Sequence, residues 1–115
     1  MSARKPILLV EDEEDIADAC RDLLEDAGYT VVVARDGREA LAYLEKEAAP
    51  CLVLLDLLMP EVDGLEFLSR YQQLPGQHPP VVIATAAYRT PAGHQVLRKP
   101  YDMNALLDVV HQHAG

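Results

Sequence analysis

Leu52-Val53-Leu54-Leu55-Asp56 is an apolar run that stops on a carboxylate. Such a run, with Pro50 just before it, reads as a central strand of a parallel sheet, covered on both faces. The design recurs on either side. Ile7–Val10 stops at Glu11 and Asp12, Val81–Ala84 at Thr85, and Gln95–Arg98 at Lys99; Val31–Ala34 is a further strand-like run. Segments of helical spacing fall between the runs. Ile16, Cys20, Leu23, Leu24 and Ala27 share one helical side, and Gly28 supplies the stop. Asp36 and Glu39 have capping-box spacing ahead of Ala40, Leu41, Leu44 and Ala48. A third helix carries Leu65, Phe67, Leu68 and Tyr71. Asp102 is placed to cap a last helix with Met103, Leu106, Leu107 and Val110.

This alternation predicts an α/β fold with a doubly wound, flavodoxin-like sheet of five parallel strands in the order 2-1-3-4-5. The alternation breaks once. Between Ala86 and His94, Pro91 and Gly93 interrupt a stretch too short for an ordinary crossover helix. The fourth helix is therefore expected to be shortened or missing, and Tyr88–His94 to be mobile and non-helical. The 115 residues are expected to form one domain, 1–115. No apolar run approaches the roughly 20 residues that cross a bilayer, and Ile7–Val10 is too short for a signal peptide. A cytoplasmic protein without a membrane partner is expected. Cys20 and Cys51 lack Cys-x-x-Cys spacing and read as buried free thiols. The net charge is −9 with no basic cluster, which argues against nucleic acid as a partner.

In such a sheet the site lies at the carboxyl ends of the strands, in the crevice where strand order reverses. Here that crevice opens between the strands ending at Glu11, Asp12 and Asp56. Two carboxylates about 5 Å apart at an effective dielectric near 20 repel by roughly 3 kcal/mol. Either one acid takes up a proton or a divalent cation joins the group. An all-oxygen, partly open site suits Mg²⁺. Asp56 is the candidate nucleophile, Lys99 a second positive charge, and Thr85 a hydrogen-bond donor. Taken singly, a strand-end lysine is more often a surface charge, and Glu13, Glu14 and Asp15 are explained as an acidic helix start. The ordered set, each member at its own strand end, carries the signal.

In these residues the chain resembles the receiver domain of two-component response regulators. The resemblance rests on Ile7–Glu13, Leu54–Leu57, Met59–Gly64, Ala84–Ala86 and Arg98–Tyr101. It implies that Asp56 accepts a phosphoryl group and that Glu11, Asp12, Asp56 and the Leu58 carbonyl hold Mg²⁺. It also implies that Thr85 is the switch hydroxyl, that Lys99 contacts the phosphoryl group, and that the Lys99–Pro100 peptide is cis. Glu11 stands where the family often has Asp, and Val96 where an aromatic residue is common. Ile83–Tyr88 is similar to a subgroup with a Phe-Ala-Thr-Gly-x-Tyr motif and an irregular fourth crossover.

The implied function is a phospho-acceptor module rather than a turnover enzyme. It would take its phosphoryl group from a sensor histidine kinase or a histidine phosphotransfer protein and signal to an unknown downstream protein. The alternative is an aspartate-based, Mg²⁺-dependent phosphohydrolase. Those enzymes place the nucleophile at the end of the first strand, in an Asp-x-Asp pattern that this chain lacks. A flavodoxin-type cofactor module is a third option. Against it, the Glu11–Ile16 loop is acidic and would repel a cofactor phosphate.

Overall fold

The computed structural model describes residues 5–46, 50–56, 64–74, 78–86, 93–99 and 102–114. Along the chain these are β1 (Ile7–Val10), α1 (Glu14–Asp26), β2 (Val31–Ala34), α2 (Gly37–Lys46), β3 (Leu52–Leu55), α3 (Gly64–Gln72), β4 (Val81–Thr85), β5 (Gln95–Arg98) and α4 (Met103–Ala114). All strand pairs are parallel and the order is β2-β1-β3-β4-β5, as the sequence predicts.

The period of two along each strand divides the core between the faces. Ile7, Leu9, Leu52, Leu54, Val82 and Ala84 pack against α1 and α4, meeting Ala17, Cys20, Leu24, Leu106 and Val110. Leu8, Val10, Val53, Leu55 and Ile83 pack against α2 and α3, meeting Ala40, Leu41, Phe67 and Tyr71. Every residue of β1 and β3 is buried. Each such side chain contributes about 1.5–3 kcal/mol through burial, which fixes these two strands as the sheet's rigid centre. The crevice therefore has stiff walls.

Local chemistry sets the helix ends. Gly28 takes a φ of +97° after α1, where a side chain would be strained. The Asp36 carboxylate accepts the Glu39 N–H at 2.9 Å, and Glu39 accepts the Arg35 N–H at 3.1 Å. The expected capping box thus reaches back one residue further than the motif implies. Asp102 caps α4 by accepting the Asn104 N–H at 2.7 Å. Leu65 and Met103, expected on apolar sides, are instead 57% and 45% exposed at the first turns of their helices. Cys20 is buried, Cys51 half-buried, and both thiols are free of disulfides.

β4 runs one residue further than the apolar pattern suggests, so Thr85 closes the strand and pairs with Arg98. Ladder pairing extends a strand beyond its apolar side chains, because a threonine backbone serves as well as a valine backbone. The described residues contain four helices, which fits a shortened fourth crossover helix. Between β4 and β5, Ala86, Gly93 and His94 are non-helical, and Gly93 has a φ of +88°. The expectation of mobility over Tyr88–His94 falls mostly on residues 88–92, outside the described residues, as do the Leu58 carbonyl and Pro100.

Candidate functional site

β1 and β3 are paired in register, Val10 beside Leu55, so the residues that follow them meet at one edge. The Asp56 N–H donates to the Val10 carbonyl at 3.1 Å and continues the ladder by one step. Ligand atoms of Glu11, Asp12 and Asp56 all lie within 4.8 Å of one another. β4 and β5 bring the other two members. The Thr85 hydroxyl donates to Asp56 Oδ1 at 2.7 Å. The Lys99 ammonium donates to Asp56 Oδ2 at 3.1 Å and also to Glu11 Oε1. Glu11 Oε2 accepts the Glu13 N–H at 3.2 Å. The structure thus gathers five of the expected side chains, Glu11, Asp12, Asp56, Thr85 and Lys99. The sixth expected contributor, the Leu58 carbonyl, lies outside the described residues.

Glu11, Asp56 and Thr85 are buried, whereas Asp12 is half-buried at the rim. Burial pushes the Glu11 carboxyl above its usual range, and the nearby Asp56 charge adds to the rise; the Lys99 ammonium only partly offsets it. Burial works to lower the Lys99 pKa, but the hydrogen bonds and charges of Glu11 and Asp56 outweigh it and hold the ammonium above its ordinary value. The two shifts pull oppositely on one contact. The charged state of Lys99 is the firmer, because it faces two carboxylates while Glu11 faces one ammonium and one like charge.

Sequence reasoning placed Lys99 near Asp56 but missed its bond to Glu11. The residues are far apart in the chain and their contact depends on β1 and β5 ending at one edge. The readable signal was the length of Glu11, one methylene more than Asp. Beside Lys99 a cleft of about 460 Å³ opens between α1 and α4, lined by Ile16, Ala19, Cys20, Ala86 and Met103. Its lining is mainly apolar and also includes Glu13, Asp15 and Lys99.

The chain is similar in sequence and fold to known proteins. The response regulator receiver domain profile matches residues 7–111. An uncharacterised 14.6 kDa protein from the sodA1 3′ region of Leptolyngbya boryana is 38% identical, covering 96% of this chain and 91% of that protein. The alkaline phosphatase synthesis transcriptional regulatory protein PhoP of Bacillus subtilis is 44% identical over 60% of this chain, which spans only 28% of that regulator. Among solved structures, the signal receiver domain of a signal transduction histidine kinase from Syntrophus aciditrophicus superposes with a TM-score of 0.84. It is 29% identical, covering 96% of this chain and 89% of that one. The chain belongs to the response regulator receiver domain family, the receivers of two-component signalling.

Proposed function

We propose that Asp56 is the phospho-acceptor of this receiver and that the donor is a phospho-histidine on a sensor histidine kinase or histidine phosphotransfer protein. One observation carries the reading: both Asp56 oxygens are held by donors, Thr85 and Lys99, beside two further acids at the sheet's switch point. In the transfer, an Asp56 oxygen forms a bond to phosphorus as the phosphorus–nitrogen bond to the donor imidazole breaks. The imidazole departs with the electron pair. Thr85 and Lys99 then exchange a carboxylate oxygen for phosphoryl oxygens as acceptors, which stabilises the added negative charge.

The donor set fits a hard cation, since Glu11, Asp12 and Asp56 offer only oxygen atoms. Mg²⁺ held there would screen the anionic phosphoryl group from the acceptor carboxylate. The rigid β1 and β3 ends fix the acceptor, and the mainly apolar cleft beside Lys99 gives the donor its approach. Hydrolysis of phospho-Asp56 would reset the module, so the chain is a self-modifying signal carrier and not a turnover enzyme. A cytoplasmic location and protein partners, with no role for nucleic acid or membrane, complete the reading; the −9 net charge supports the exclusion of nucleic acid. No helix among the described residues is long and apolar enough to cross a membrane. We take residues 1–115 as one domain, acting by itself or joined to others. No observation favours the phosphohydrolase reading.

The test is mass spectrometry after incubation with Mg²⁺ and a small phosphodonor. One phosphoryl mass should be added to the wild type and none to Asp56→Asn. A phosphoryl group kept on another residue of that variant would refute the assignment.

A further inference from the structure

Every oxygen of the two buried carboxylates of the site already accepts a hydrogen bond. Glu11 Oε1 is bonded by Lys99 and Oε2 by the Glu13 N–H. Asp56 Oδ1 is bonded by Thr85 and Oδ2 by Lys99. Lys99 is itself largely enclosed, its side chain 11% exposed against 3% for Glu11 and 5% for Asp56. A cation that enters this group meets oxygens that are already engaged, and the partner it repels is the Lys99 ammonium. The Glu13 N–H is backbone at the start of α1, and Thr85 is anchored in β4. Of these described partners, Lys99 is the one on a long, rotatable stem. It also carries the charge that a cation would replace. Asp12 stands apart from these bonds: among the described residues no hydrogen bond or ion pair reaches its half-buried carboxylate.

We infer that the Lys99 ammonium is the resident counter-ion of the acidic site, and that a divalent cation loads by exchange, entering at Asp12 and displacing Lys99 from Glu11. This rests on the metal reading above and adds an order to it. Lys99 is held on Glu11 until the cation arrives and is then released toward a phosphoryl oxygen. Glu11 acts as a positioning residue for the lysine, and its extra methylene provides the reach. In this account metal affinity is set partly by a competitor within the chain, and the protein is prevented from presenting Lys99 to phosphate before the cation is in place.

Two measurements test the exchange. The first is calorimetric titration of Mg²⁺ into the wild type, Lys99→Met and Asp12→Asn. Removing the competitor should tighten binding at least fivefold in Lys99→Met, and Asp12→Asn should weaken it at least tenfold. The second needs no variant of the measured state: the Lys99 ammonium signal in a ¹H–¹⁵N correlation spectrum, assigned by its loss in Lys99→Met. In metal-free protein it should be protected from solvent exchange, and saturation with Mg²⁺ should shift it and abolish the protection. Merely through-space repulsion between the two cations would leave the lysine on Glu11 and its signal in place. Equal affinity in wild type and Lys99→Met, or an unmoved ammonium signal at saturation, overturns the exchange while the metal reading stands. Absence of saturable Mg²⁺ binding in all three proteins overturns both.

Discussion

Replacing Lys99 with Met should destabilise the metal-free protein in a strongly pH-dependent way. Methionine keeps an unbranched apolar stem, so the packing of the lysine stem is largely preserved. What is lost is the charge facing two carboxylates that are 3% and 5% exposed. Breaking one side of a buried pair typically costs about 3–5 kcal/mol. The orphaned acid can escape by taking up a proton, which caps the penalty. For a carboxyl with an ordinary pKa of 4.5, protonation at pH 7 costs about 3.4 kcal/mol, at about 1.36 kcal/mol per pH unit. The penalty should therefore be about 3 kcal/mol at pH 7 and under about 1 kcal/mol at pH 5. The sign follows from Glu11, whose proton affinity is already raised by burial. A folded state that binds protons more tightly than the unfolded state gains stability as pH falls toward the unfolded pKa. Far-UV circular dichroism melts in chelator at the two pH values read the difference. A drop in Tm of about 10 °C or more is expected at pH 7, and a drop of a few degrees at pH 5. A variant as stable as wild type at pH 7, or a penalty equal at both pH values, would show that Lys99 is not the counter-ion of these acids.

Other outcomes follow from the same geometry. Thr85→Val should cost about 1.5–3 kcal/mol in urea unfolding through loss of the 2.7 Å bond to Asp56, and Thr85→Ser should recover most of it. Asp12→Asn relieves repulsion at the rim and should stabilise the metal-free protein by about 1 kcal/mol, a value reduced by partial solvent screening; an unchanged or lower Tm in chelator would count against this. Burial pushes the Tyr71 phenol up to about 12 from 10.0. Because the fold retains that proton longer than the unfolded chain, up to about 2.7 kcal/mol of stability should be lost between pH 10 and pH 12. Tyr71→Phe should flatten this alkaline loss, while giving up about 1 kcal/mol at neutral pH with the 2.7 Å bond to the Pro79 carbonyl.

The strands were legible because parallel strands buried on both faces must be apolar throughout. The runs ending at Val10, Ala34, Leu55 and Arg98 match the strand ends residue for residue. β4 overran its apolar run because backbone pairing, not the side chain, carries Thr85. Leu65 and Met103 misled because helical spacing shows which residues share a side, not whether that side extends to the first turn. That five side chains, Glu11, Asp12, Asp56, Thr85 and Lys99, come together was legible from their strand-end positions, since topology converts sequence order into spatial proximity. The Glu11–Lys99 bond was not legible, because side-chain reach across the sheet edge is a tertiary property that no local pattern encodes.

The Lys99 N–H donates to the Thr85 carbonyl at 3.0 Å, so the two residues that grip Asp56 are also tied to each other through the backbone. Neither backbone can shift far without pulling on its neighbour, while the Lys99 stem stays free to rotate. If Asp56 is phosphorylated as proposed, the two backbones would answer as one channel rather than two, and a joint displacement would enter the edge strand β5. Effects of substitutions at the two positions should then be non-additive in any readout of output, since either change degrades the same message.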